Sequence, residues 1–226
     1  MRNYIKKHDF IKLLLLRFKK MRFMKIICIG FNYKSHIKEL NKNIPKIPVF
    51  FLKPETALTL RNRPFFYPDF SNNIHYEAEI VVRINKLGKH IQKKFAHTYY
   101  DEIGLGLDLT ARDIQAEVFE KALPWEISKA FDGSAVVNRF LPKSHFADLQ
   151  NINFSLLKNK QLVQQGNTSD MLFSIDEIIE YVSQFITLKI GDLIFTGTPC
   201  GIGKVEIGDE LEGYIDDELM FKCRVK

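Results

Sequence analysis

The most informative pattern in the sequence is the alternation of apolar and polar residues from His75 to Ile84. Successive side chains of a β-strand point to opposite faces, so the alternation predicts a strand with one apolar face. That face carries Tyr76, Ala78, Ile80, Val82 and Ile84, and the other carries His75, Glu77, Glu79, Val81 and Arg83. Glu77 and Glu79 project side by side, which is favourable only if a cation or water shields them. The strand predicts either a divalent-metal site or a solvated face on which Glu79 meets Arg83.

A second alternating run, from Glu102 to Thr110, adds a third carboxylate. Its apolar face carries Ile103, Leu105, Leu107 and Leu109, and its other face carries Gly104, Gly106, Asp108 and Thr110. The two glycines leave room for another group to approach the backbone closely. Asp108 is therefore a candidate to join Glu77 and Glu79.

The remaining pattern predicts a mostly β chain with a few short helices. Further strands are predicted at Met24–Gly30, Val49–Leu52, Ile152–Leu157, Leu162–Gly166 and Asp192–Thr196, the third and fourth forming a hairpin. Helices are predicted to begin at the N-caps Ser35, Thr110 and Ser174. The last two have Asp113 and Glu177 three positions on, the pattern of a capping box.

The helix after Thr110 is predicted to reach Leu123, with Ile114, Val118 and Ala122 facing inward, because Pro124 stops it. Arg112 and Gln115 share a different face, for which solvent exposure is the simplest interpretation. The next segment, Trp125–Gly133, is predicted to be irregular. For its Lys129, taken alone, a surface position is the ordinary interpretation, because lysine usually lies there.

Two short motifs suggest further chemistry. His36 and Glu39 lie three positions apart on one face of the first helix, as in a carboxylate-oriented general base or a chance pair on an exposed helix. The glycine-rich turn from Gly197 to Gly203 follows an apolar strand and exposes backbone N–H groups. It predicts either an anion site or a tight turn with positive φ at its glycines.

Charge along the chain argues against nucleic acid as a partner. The net charge is +6, but residues 1–24 hold eight Lys or Arg and one Asp, which leaves 25 basic and 26 acidic residues in the body. A nucleic-acid-binding body would need a basic patch. With 226 residues, the chain is predicted to form one domain over residues 24–226.

Residues 1–23 are predicted to be a basic N-terminal extension, disordered or loosely packed, before a natural start at Met24. The apolar run Leu13–Leu16 is too short for a membrane span, and Arg17 follows it at once. A membrane-surface helix is the alternative. Three widely spaced cysteines, Cys28, Cys200 and Cys223, are each expected to be small buried hydrophobes, which favours a reducing, cytoplasmic location.

Taken together, these signals resemble one family. Glu77-x-Glu79, Asp108, Lys129 and the run Phe195-Thr-Gly-Thr-Pro199 are similar to motifs of the fumarylacetoacetate hydrolase family. Residues Leu107–Trp125 most resemble its small single-domain branch of acylpyruvate hydrolases and oxaloacetate decarboxylases or tautomerases. The resemblance covers Met24 to Lys226.

The resemblance implies a mixed α+β, predominantly β fold, a β-sandwich roll with a few short helices, and a homodimer. It implies that Glu77, Glu79 and Asp108 bind Mg²⁺, with Mn²⁺ or Ca²⁺ as substitutes, and all-oxygen ligation suits such hard cations. By the same resemblance, His36, Glu39 and Lys129 are catalytic. Substrate contacts are expected from Arg112, Gln115, Gly197 and Thr198.

The activity implied is hydrolysis of acylpyruvates, or decarboxylation or tautomerisation of oxaloacetate, through a metal-stabilised enolate of a short 2-oxo acid. One alternative is a 2-hydroxyhepta-2,4-diene-1,7-dioate isomerase or decarboxylase, and another is a non-catalytic cation-binding protein. No membrane span is expected. The chain has Phe31 where many relatives carry Arg, a departure that bears on substrate affinity or specificity.

Overall fold

The computed structural model describes residues 24–59 and 63–226. The prediction for the extension 1–23 therefore lies outside the described residues. The strands are β1 (Ile26–Gly30), β2 (Val49–Lys53), β3 (Leu58–Thr59), β4 (Ile74–Tyr76), β5 (Ala78–Ile84), β6 (Tyr100–Asp108), β7 (Thr110–Ala111), β8 (Ala135–Pro142), β9 (Asn153–Lys158), β10 (Gln161–Asn167), β11 (Leu193–Phe195), β12 (Gly203–Lys204), β13 (Glu210–Ile215) and β14 (Glu218–Arg224). The helices are α1 (Lys34–Glu39), α2 (Lys93–Ala96), α3 (Arg112–Glu120), α4 (Glu126–Lys129) and α5 (Ile175–Phe185).

Within the described residues, the strands form three sheets around one main core. The largest has the order β2-β1-β11-β5-β6-β8-β3, the second β10-β9-β13-β14 and the third β12-β4-β7. Pairing is antiparallel except where β1 meets β11 and β3 meets β8. The predicted mixed, mostly β fold class is confirmed.

The strand predicted from His75 to Ile84 is divided at Glu77. β4 pairs with β7 and β12 in the small sheet, whereas β5 pairs with β6 and β11 in the large one. Both predicted apolar faces are buried, in agreement with the period-two pattern. Glu77 therefore lies where the chain passes from one sheet to the other.

Two predicted helix caps are wrong because their side chains have other partners. The N-cap of α1 is Tyr33, without a side-chain bond, and the Ser35 hydroxyl accepts from Cys200 N at 3.4 Å instead. The N-cap of α3 is Ala111. Thr110 faces the carboxylates, and Asp113 binds Ser71 Oγ at 2.7 Å and the backbone N–H of residue 72.

Other predictions near α3 are corrected too. The helix ends at Glu120, and Ala122, predicted to face inward, is exposed with a φ of 51°. The segment after Pro124 is not wholly irregular, since residues 126–129 form α4. The capping box at Ser174 and the β9–β10 hairpin are confirmed. Cys28 and Cys223 are buried as expected, whereas Cys200 is exposed.

Candidate metal centre

Three buried carboxylates meet at the point where the large and small sheets join. Glu77, Glu79 and Asp108 are 4%, 2% and 1% exposed, and each offers an oxygen within 4.8 Å of the others. The register brings this about, because Glu79 lies opposite Gly106 on β6 and Asp108 N donates to Glu77 O at 2.9 Å. The solvated-face interpretation is therefore wrong for Glu77 and Glu79.

The space beside the two glycines of β6 is filled by atoms of neighbouring strands rather than by a ligand. A Cβ at Gly106 would lie 2.7 Å from the Phe195 ring and 2.7 Å from the carbonyl oxygen of Val136. At Gly104 it would lie 2.9 Å from the carbonyl oxygen of residue 139. The glycines thus permit close packing of β6 against β11 and β8, which sets the position of Asp108.

Lys129 lies among the carboxylates rather than at the surface. Its Nζ donates to Glu77 Oε2 at 2.9 Å, to Asp108 Oδ2 at 2.8 Å and to Thr110 Oγ1 at 2.6 Å. Burial would lower the pKa of Lys129, but the Asp108 and Glu77 carboxylates outweigh it and raise that pKa. Lys129 is therefore a buried, charged lysine.

A second buried lysine, Lys53, was not predicted. Its Nζ lies 2.7 Å from Asp108 Oδ1 and donates to Ser134 Oγ at 2.8 Å and to Ser134 O at 3.1 Å. It also donates to the carbonyl of Lys129. The only sequence signal is weak: period two places Lys53 on the same face of its apolar strand as Phe51.

Arg112 and Gln115 belong to the same cluster. The Arg112 guanidinium pairs with Glu77 Oε1 and donates to Gln115 Oε1. Gln115 is 7% exposed. Their interpretation as solvent-exposed residues is therefore wrong, because the start of α3 packs against the break at Glu77.

The carboxylates have opposed pKa shifts. Burial, followed by the charges of Asp108 and Glu77, raises the pKa of Glu79 well above its ordinary value. For Glu77, burial acts in the same direction, but Lys129 and Arg112 more than offset it and lower the pKa. Glu77 is therefore easier to ionise than Glu79, and a further cation at the cluster would lower the pKa of Glu79.

The glycine-rich turn after β11 binds a carboxylate of the protein itself. Gly197 N donates to Glu79 Oε2 at 2.7 Å, and Thr198 Oγ1 donates to Ala78 O at 2.9 Å. Gly197 has a φ of 100°, and a Cβ there would lie 2.7 Å from Asn32 Cβ, so glycine is required for both reasons. The backbone N–H of Gly197 is thus occupied by the Glu79 carboxyl group of the same chain.

His36 and Glu39 form the predicted pair. His36 Nδ1 lies 3.0 Å from Glu39 Oε2, and Glu39 Oε1 accepts from Gly201 N at 3.0 Å. His36 is 5% exposed, which excludes the interpretation as a chance pair on an exposed helix. The remaining ring nitrogen, Nε2, is left for another partner.

One pocket joins these groups. It is lined by His36, the three carboxylates, Lys129, Arg112, Gln115 and Thr198. An aromatic wall, which we define as Phe31, Phe51, Phe119 and Trp125, completes it. The Phe31 and Phe119 rings lie 6.0 and 5.0 Å from the Trp125 ring. Of this wall, only Phe31 was identified from the sequence. The other three were not, because aromatic residues usually belong to the core.

The donor chemistry of the cluster fits a hard divalent cation. All three groups offer carboxylate oxygens, the ligands that Mg²⁺, Mn²⁺ and Ca²⁺ prefer. Asp108 Oδ1 is buried and paired with Lys53 Nζ at 2.7 Å, so the case for a cation rests on the three converging carboxylates. The cluster is therefore a candidate divalent-metal site.

Comparisons with known proteins agree with this geometry. Residues 25–225 match the family described as Fumarylacetoacetate (FAA) hydrolase C-terminal, so the chain belongs to that family. It is 42% identical over 201 residues to the mitochondrial oxaloacetate tautomerase FAHD1 of Mus musculus, covering 89% of this chain and 91% of the relative. It is 40% identical over 201 residues to the mitochondrial oxaloacetate decarboxylase of Dictyostelium discoideum, covering 87% and 92%.

A solved structure of a relative has the same fold. The fumarylpyruvate hydrolase of Pseudomonas aeruginosa, in complex with Mn²⁺ and pyruvate, superposes with a TM-score of 0.84 at 35% identity. The match covers 90% of this chain and 89% of that one.

None of the helices within residues 24–59 and 63–226 is both long and apolar enough to cross a bilayer.

Proposed function

We propose that this protein is a metal-dependent enzyme of short 2-oxo acids. It acts on oxaloacetate by tautomerisation or decarboxylation, and on acylpyruvates by hydrolysis of a C–C bond. The observation that carries the proposal is the single pocket in which His36 and Lys129 face three buried carboxylates. The names of the relatives support these reactions, since they include a tautomerase, a decarboxylase and a fumarylpyruvate hydrolase.

Glu77, Glu79 and Asp108 would hold the cation, and we propose Mg²⁺, with Mn²⁺ or Ca²⁺ as substitutes. When bound, the cation supplies Lewis-acid stabilisation of negative charge on the substrate. The Mn²⁺ named for the Pseudomonas hydrolase supports a divalent ion.

The charge balance of the cluster favours an anionic substrate. Lys53, Lys129 and Arg112 contact the carboxylates, so three positive charges match three negative ones once Glu79 has ionised. The two charges of a divalent cation are then in excess within a buried site, where unpaired charge is unfavourable. A dianion such as oxaloacetate would neutralise them.

His36 is the proposed acid–base group. Glu39 accepts from Nδ1, which leaves Nε2 to take a proton. In tautomerisation, Nε2 removes a proton from C3, and the resulting imidazolium gives that proton to the 2-oxo oxygen. In hydrolysis, Nε2 takes a proton from the water that attacks the 4-carbonyl, the C3–C4 bond breaks and C3 regains a proton.

Decarboxylation needs the same groups in a different order. The C3–C4 bond breaks and CO₂ leaves. The electron pair of the broken bond moves toward the 2-oxo oxygen. Lys129 adds positive potential at the carboxylate cluster. This potential favours the negative charge that develops on the 2-oxo oxygen. His36, which for this reaction must first have taken a proton from solvent at Nε2, then protonates C3 and completes the reaction.

The test is an assay panel run with Mg²⁺ and again after chelation. The panel contains enol and keto oxaloacetate, acetylpyruvate, fumarylpyruvate and 2-hydroxyhepta-2,4-diene-1,7-dioate. We expect Mg²⁺-dependent turnover of oxaloacetate or an acylpyruvate. Preferential turnover of the dienedioate would favour the isomerase alternative, and tight Mg²⁺ binding without any turnover would favour a non-catalytic cation-binding protein.

We also propose that two copies associate, as the family resemblance implies. An exposed apolar groove offers a surface for this contact, lined mainly by Pro54, Phe70, Ile114, Ile127, Ala130 and Phe131. Light scattering on the protein as it leaves a size-exclusion column gives the mass, and a monomer at all concentrations would contradict the proposal.

The cytoplasmic location stays a prediction, since the two relatives described above are named as mitochondrial.

A further inference from the structure

Gln164 is a buried side chain that takes no part in the proposed reaction. It lies on β10, in the four-stranded sheet, and is 3% exposed, whereas its neighbour Gln165 is exposed. The β9–β10 register shifts between Leu162 and Gln164, so Val163 is an extra residue in the strand. A β-bulge of this kind re-aims side chains, and here Gln164 points toward the metal centre.

All the polar atoms of the Gln164 side chain have partners at the centre. Oε1 accepts from Ala78 N at 2.9 Å, and Nε2 donates to Thr198 Oγ1 at 2.7 Å and to Pro199 O at 2.9 Å. The orientation of the amide follows from these partners, because a backbone N–H only donates and a carbonyl only accepts.

These bonds close a ring around one peptide segment. Ala78 N donates to Gln164, Gln164 donates to Thr198, and Thr198 Oγ1 donates back to Ala78 O at 2.9 Å. Ala78 lies between Glu77 and Glu79, where the chain changes sheets. Both backbone polar groups of the residue that links two proposed ligands are therefore held by side chains.

We propose that Gln164 is a positioning residue for the metal centre. It fixes the backbone between Glu77 and Glu79 and holds Thr198 at the pocket wall, so that the carboxylates are preorganised for the cation. The inference rests on the proposed metal site. Groups that orient metal ligands typically change metal affinity by about 10- to 100-fold when they are removed.

The main variant is Gln164→Met, which keeps the approximate volume but removes all three hydrogen bonds. We expect its Mn²⁺ dissociation constant, measured by calorimetric titration of the apo protein, to rise by about 10- to 100-fold. Gln165→Met is the matched control on the same strand and should keep the wild-type constant. Circular dichroism and thermal melting show whether each variant is folded.

A double-mutant cycle separates positioning from general destabilisation. Thr198→Val removes the other bond of the ring, and if the ring acts as a unit the double variant should lose little more Mn²⁺ affinity than Gln164→Met alone. Should Gln164→Met fail to fold, Thr198→Val alone must still weaken Mn²⁺ binding at least several-fold.

Three results would overturn the inference, and they are distinguishable. A folded Gln164→Met protein with wild-type Mn²⁺ affinity refutes it, even if the melting temperature falls, because that pattern describes a purely structural residue. A Thr198→Val protein with unchanged affinity, when Gln164→Met does not fold, also refutes it. If wild-type protein binds no Mn²⁺, the proposed metal site itself is wrong and the inference falls with it.

Discussion

Two clusters of charged residues in this protein pair the same side-chain types in different surroundings. On β13 and β14, Lys222 contacts Glu210 at 2.6 Å and Glu212 at 3.0 Å, and Arg224 Nε contacts Glu210 at 3.1 Å. The Lys222 and Arg224 side chains are 45% and 70% exposed. At the metal centre, comparable contacts join side chains that are almost fully buried.

The difference shows that burial, rather than contact distance, decides what an ion pair does. Water and salt screen the β13–β14 pairs, so each contributes little to stability. At the buried centre, each charge depends on its partners, and removing one leaves another uncompensated. Removing one side chain from the β13–β14 network should therefore change the free energy of unfolding little, whereas the buried charges of the centre depend on one another.

The largest expected effect follows from removing a proposed ligand. Glu77→Ala should abolish Mg²⁺-dependent turnover, because it removes a ligand and leaves Lys129 and Arg112 without their shared carboxylate. Steady-state assays with and without chelator measure the loss. If this variant stays active after chelator has removed the metal, that result would falsify the proposed role of the cluster.

Replacing the proposed base should separate chemistry from metal binding. His36→Ala is expected to lower kcat by about 10²- to 10⁴-fold, the range typical of general acid–base catalysis. Mn²⁺ affinity should stay near that of the wild type, since His36 is not among the proposed ligands. Undiminished kcat would show that another group moves the proton.

A matched pair of lysine variants tests the comparison directly. Lys53→Met should destabilise the fold by about 3–5 kcal/mol, because Asp108 loses a buried cation. Lys222→Met, the same substitution in the exposed network, should leave the urea midpoint nearly unchanged. Equal shifts of the two midpoints would contradict the distinction between the clusters.

The smallest expected effect concerns the aromatic wall. Phe31→Arg places a cation beside the pocket, so we expect kcat/KM for a substrate with a distal carboxylate to rise about tenfold relative to one with an uncharged acyl group, equivalent to about 1.4 kcal/mol. Phe31→Leu controls for loss of the ring. An unchanged ratio would mean that Phe31 does not face the distal end of the substrate.

Local patterns in the sequence determined much of this protein. Period two placed Glu77 beside Glu79 and Asp108 opposite an apolar face, and the capping box at Ser174 marked the start of α5 correctly. These features depend on residues only a few positions apart. Backbone geometry and local hydrogen bonds therefore suffice to predict them.

Only the tertiary structure decided how the centre is completed. The bonds from Thr110 and Lys129 to Glu77 span 33 and 52 positions, and the bond from Gly197 to Glu79 spans 118. Sheet order and register bring these groups together, and no local propensity encodes either. For that reason the local pattern gave Lys129 a surface position as its ordinary interpretation, and only the family resemblance made it catalytic. Thr110 was expected to cap a helix, and Lys53 and Gln164 were not predicted at all.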